Sequence, residues 1–125
     1  MADETQVQTQ ESQLRTFFSN ARVDYDQFSK IAGSEATRKF LERLVVFEEA
    51  GSEIVEATRK SSTYQFAGTR LAHLKCIKDS VYTELFPKIV ELGGKTVKTI
   101  GEYVLGRYEN FEEQCIEVLE ERRRG

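Results

Sequence analysis

The sequence predicts an all-α domain: a four-helix bundle of up-down-up-down topology, with its third helix kinked or split at Pro87. Three observations predict it. Four stretches carry apolar residues at spacings of three and four, the repeat that gives a helix one buried face. The segments between them hold turn-forming residues and little else. These connections are short, which favours antiparallel neighbours.

Residues 1–10 are mostly polar, with a single Val7 beyond Met1 and Ala2, and are expected to form a flexible N-terminal tail, leaving 11–125 as the bundle domain. Thr5 and Gln8 have capping-box spacing, which would start the first helix earlier. The clear part of that helix is expected from about Ser12 to Ala32, with Leu14, Phe17, Phe18, Ala21, Tyr25, Phe28 and Ala32 on one face. Gly33 supplies a left-handed stop.

Ser34 is the expected N-cap of the second helix. Phe40, Leu41, Leu44, Phe47, Gly51, Ile54 and Thr58 form its stripe, opposite Glu42, Glu49, Glu53, Lys39 and Arg43. Ser61, Ser62 and Thr63 are weak helix formers, and Ser62 with Gln65 matches a capping box for a new helix. Phase supports the break: at about 100° per residue, the stripe beyond residue 64 is rotated by more than a quarter turn. Without the break, the alternative is an elongated hairpin assembly that completes its core by dimerisation.

The third helix is expected from about Thr63 to Leu92, with Ala67, Leu71, Leu74, Val81, Leu85 and Leu92 as its stripe. Pro87 should kink or divide it, because proline lacks the N–H donor and clashes with the preceding turn. Gly93 and Gly94 end it. The fourth helix, from about Lys95 to Arg124, presents Val97, Ile100, Val104, Tyr108, Phe111, Cys115, Val118 and Leu119.

Composition narrows function by exclusion. The net charge of −3 calls for neither nucleic acid nor an anionic membrane. The longest apolar run, Leu44 to Phe47, is far short of the roughly 20 residues that span a bilayer, so no integral membrane insertion is expected. Met1 to Gln6 has no basic region leading into an apolar one and does not resemble a secretory signal. Two cysteines, Cys76 and Cys115, make no disulfide framework, and a reducing cytoplasmic or nuclear compartment is the simplest expectation.

Motifs for chemistry are fragmentary. Gly94-Lys95-Thr96 has the ending of a phosphate-binding loop, but Ile89 stands where its first glycine belongs and no strand precedes it. His73 is the only histidine, and Arg70 replaces the glutamate of a Glu-x-x-His di-iron motif. His73 and Cys76 share a helix face, yet two ligands make no structural zinc site. A haem needs only one protein ligand, so His73 is kept as a ligand-binding candidate beside its plainer reading as a boundary residue. The carboxylates Glu48, Glu49, Glu53, Glu56, Glu109, Glu112, Glu113 and Glu117 read as a solvated face, and Arg122 to Arg124 suit the negative end of a helix dipole.

Two features point to binding. Gly51 and Gly101 lie on apolar stripes, where a glycine costs about 1 kcal/mol against alanine. Close helix approach offsets that, or else room for an apolar ligand does. Cys76, Tyr82, Phe86 and Val90 lie opposite the third helix's stripe, where a solvated helix should be polar, and they form the candidate partner-binding surface. The plainer account is that Pro87 redirects the chain and returns Phe86 and Val90 to the core. The expected function is a non-enzymatic interaction or scaffold module that self-associates or binds a protein partner, without a cofactor. The alternative is a binder of an apolar small molecule or a lipid surface.

Overall fold

This computed structural model describes residues 12, 13, 15–61 and 63–124; the expectations placed on Thr5, Val7, Gln8, Leu14 and Ser62 lie outside them. The described residues are helical throughout apart from short turns, with no strand among them. Helix α1 is described at residues 12, 13 and 15–21, followed by α2 (Tyr25–Ala32), α3 (Ser34–Ser61) and α4 (Tyr64–Ser80). A 3-10 helix (Thr83–Lys88) and the single turn α5 (Ile89–Leu92) lead into α6 (Gly94–Arg124).

The expected single helix from Ser12 to Ala32 is two helices, and a closed hydrogen-bond pattern explains the break. Arg22 takes a left-handed conformation (φ 61°), its N–H donating to the Ser19 carbonyl at 3.2 Å. The Val23 N–H reaches the Phe18 carbonyl at 2.9 Å, which completes a Schellman motif with arginine where glycine is usual. Asp24 then caps α2, its carboxylate accepting from the Gln27 N–H at 3.2 Å.

Gly33 and Gly93 make two matching corners, with φ of 89° and 88°. Each donates its N–H to a carbonyl of the helix it ends, Ser29 or Ile89. Each also accepts at its own carbonyl from the helix it opens, through the N–H of Thr37 or Val97. Ser34 is therefore the first residue of α3 and not its cap, and Thr37 Oγ1 adds a second donor to the Gly33 carbonyl at 2.7 Å. The break after α3 falls where expected, but Thr63 caps α4, its hydroxyl accepting from the Phe66 N–H at 3.2 Å.

The third expected helix departs from α geometry before Pro87. After Ser80 the Val81 N–H donates to Lys78 three residues back, and the Leu85 N–H does the same to Tyr82. Pro87 lies inside the 3-10 segment that follows, where it has no N–H to offer the Glu84 carbonyl three residues back. Val81, Leu85 and Leu92 are nonetheless buried as their stripe requires.

Contacts give the helix directions. Glu48 meets Arg107, Phe47 meets Phe111 and Thr58 meets Cys115, so α3 and α6 run parallel and in register. Tyr82 reaches Gly101 and Tyr108 reaches Leu71, so α4 runs the other way beside α6. Phe17, Phe18, Phe28 and Phe40 pack ring against ring at one end, with centroids 4.5–6.0 Å apart.

Gly51 and Gly101 separate in this framework. A Cβ on Gly51 would lie 2.7 Å from Cζ of the Phe111 ring, so the missing side chain is what admits that ring. Gly101 has nothing within 4 Å of such a Cβ. Gly51→Ala is expected to lower stability by about 1–2 kcal/mol through overpacking, while Gly101→Ala should raise it by about 0.5–1 kcal/mol through helix propensity. Urea midpoints of the two variants check this, and equal shifts would show that the Phe111 ring yields. Phe47→Ala and Phe111→Ala each remove a buried ring and should cost about 3–5 kcal/mol in the same measurement.

Candidate functional site

The four residues of the expected partner surface do not stay together. Cys76 is exposed on α4, a turn and more away from the others. Tyr82 turns inward and packs against the core, its hydroxyl donating to the Gly101 carbonyl at 3.4 Å. Phe86 and Val90 remain outside, 57% and 90% exposed, so the chain does not return them to the core. Ile89 joins them at neighbouring helical positions. The exposed apolar patch on the 3-10 helix and α5 therefore consists of Phe86, Ile89 and Val90. Lys88 and Glu91 sit within it and form no ion pair among the described residues.

His73 is exposed on α4, and among the described residues no three His, Cys, Asp or Glu side chains gather to hold a metal ion. Gly51 offers no ligand space, since the Phe111 ring occupies it. Gly101 contributes only its carbonyl, to Tyr82. Cys115 is buried, and its burial pushes the thiol pKa up; the Glu112 charge acts the same way and the Thr58 hydroxyl opposes it. Such a thiol stays protonated and unreactive at neutral pH.

A second site was not visible in the sequence. Between α1, α3 and α6 lies an open groove of about 550 Å³. Phe17, Leu41, Leu44 and Val45 make its apolar floor, and Gln13, Thr16 and Asn20 of α1 make a neutral polar rim. Its far wall holds Glu48, Glu49, Tyr103 and Arg107. Glu48 is not part of a solvated face, as the run of carboxylates suggested. It accepts two hydrogen bonds from Arg107, Nε to Oε1 at 3.0 Å and Nη2 to Oε2 at 2.9 Å, across 59 residues of sequence. The guanidinium also lies 5.0 Å from the Phe111 ring centroid. The hydrogen bond to Glu48 holds the Arg107 pKa above its usual value, against partial burial.

No protein-family model, curated protein or solved structure matches this chain. No helix among the described residues is long and apolar enough to cross a membrane.

Tyr82 gives a pH signature for the inward turn. Burial, and then the Asp79 charge, push its phenol from 10.0 up to about 12. Between those values the unfolded chain has lost a proton that the folded chain keeps, so stability falls as pH rises from 10 to 12. Tyr82→Phe should lose less stability over that window than the wild type, measured by urea midpoints at stepped pH. Parallel slopes would place the phenol in solvent.

Proposed function

We propose that this chain is a non-enzymatic helical interaction module that self-associates through Phe86, Ile89 and Val90. The proposal takes α1, α3, α4 and α6 as an up-down-up-down scaffold that presents the 3-10 helix and α5 at its side. The observation that carries it is the exposure of three large apolar side chains, Phe86, Ile89 and Val90, within five residues. Grouped apolar exposure of this kind marks interaction surfaces.

Charge supports a second copy as the partner. Lys88 and Glu91 flank the apolar residues and are left without ion pairs among the described residues. A two-fold contact is self-complementary, so Lys88 of one copy would meet Glu91 of the other, twice. The surface is small, and an affinity in the micromolar range or weaker is expected. A cytoplasmic setting suits two free cysteines.

Light scattering across a concentration series tests this. The wild type should move from monomer to dimer as concentration rises. Phe86→Glu should raise the dimer Kd by about 30-fold or more, roughly 2 kcal/mol, with an unchanged melting temperature. Lys88→Glu and Glu91→Lys should each weaken the dimer, and the double variant should restore it. A wild type that stays monomeric at millimolar concentration rejects self-association. The groove beside α1 independently favours a second reading, that the chain holds a small ligand with an apolar part.

A further inference from the structure

We infer that the groove between α1, α3 and α6 binds a small amphipathic cation, an organic ammonium with a short aliphatic chain. The inference stands apart from self-association, since it uses none of the residues of the Phe86 surface.

Volume and lining set the apolar part. At about 550 Å³ the groove falls in the range of small-molecule sites, and Phe17, Leu41, Leu44 and Val45 give it a hydrocarbon floor. Phe17 is fixed there by edge-to-face packing on Tyr103, with ring centroids 4.9 Å apart. An aliphatic chain laid on this floor removes apolar surface of both partners from water.

The wall sets the sign of the polar part. Among the described residues Arg107 is the one cationic side chain lining the groove, and both oxygens of Glu48 are already engaged with it. Glu49 stands one residue further along α3, lines the same wall and has no ion pair among the described residues. The rim from α1 contributes Ser12, Gln13, Thr16 and Asn20, none of them charged. Among the described residues the lining therefore carries one negative charge, that of Glu49, with no cation beside it to neutralise it. A ligand carboxylate would find the guanidinium occupied and Glu49 opposed to it. An ammonium would gain Glu49, together with acceptors at the Tyr103 hydroxyl, which makes no hydrogen bond among the described residues, and at the Gln13 amide.

Three probes of matched length separate charge from chain: octylammonium, octanol and octanoate, each titrated into the ¹⁵N-labelled full chain and followed by amide chemical shifts. Octylammonium should perturb Phe17, Leu44 and Tyr103 and bind about fivefold tighter than octanol, the scale of one partly exposed ion pair, with octanoate weakest. Glu49→Gln should bring octylammonium down to the octanol level while leaving octanol unchanged. Val45→Trp should fill the groove and abolish all three, with the melting temperature retained. Octanoate binding as tightly as octylammonium overturns the inference, as does an unchanged preference in Glu49→Gln. Shifts confined to Phe86, Ile89 and Val90 overturn it too, and repeating the titration with Phe86→Glu shows whether that other surface is responsible.

Discussion

The Phe111 ring seated against Gly51 is the contact on which the rest of the arrangement depends. Two long helices can approach closely only where one of them lacks a side chain, and Gly51 is that place on α3. The ring then meets Phe47 edge-on, with centroids 5.9 Å apart, and the Arg107 guanidinium lies 5.0 Å from its centroid. Arg107 is thereby positioned to hold Glu48 with two parallel hydrogen bonds, a geometry that fixes orientation as well as distance. Backbone spacing, helix register and the wall of the groove thus follow from one missing Cβ. The pair is about one-third exposed, so its contribution is alignment more than stability.

The buried faces were legible in the sequence because burial on a helix is periodic. Every residue of the second stripe, Phe40 through Thr58, is buried, and so is every residue of the third. The failures fall where the chain changes direction. Asp24 and Gln27 have cap spacing, but they sit inside a stripe that continues in phase from Phe18 to Phe28, and the stripe was the stronger signal. Arginine at the left-handed position of a Schellman turn carries no composition cue, since glycine is the usual sign. From its sequence Pro87 interrupts an α-helix, whereas the departure starts at Val81, where backbone bonding shortens from four residues to three. Nothing in residue identity at Ser80 and Val81 announces that shift.

The candidate sites divide along the same line. Phe86 and Val90 could be found because they are apolar residues off a stripe on a single segment. Tyr82, judged by the same criterion, turned inward because the 3-10 geometry changes the angle between it and Phe86. The groove is a different case. Its lining comes from helices whose residues are tens of positions apart in sequence, and no spacing rule joins Gln13, Glu49 and Tyr103. The same holds for Glu48, which is indistinguishable by sequence from the solvated Glu49 and Glu53 beside it.

Parallel pairing of α3 with α6 has a kinetic consequence. The α3–α4 hairpin closes across a two-residue connection, so its contacts are local and carry little loop entropy. Glu48 and Arg107 lie 59 residues apart, and every α3–α6 contact must wait for a comparable length of chain to return. Contacts of long sequence separation slow folding, because chain freedom is lost before the contact rewards it. The hairpin is thus the element able to form early, and the docking of α6 is the step that sets the rate.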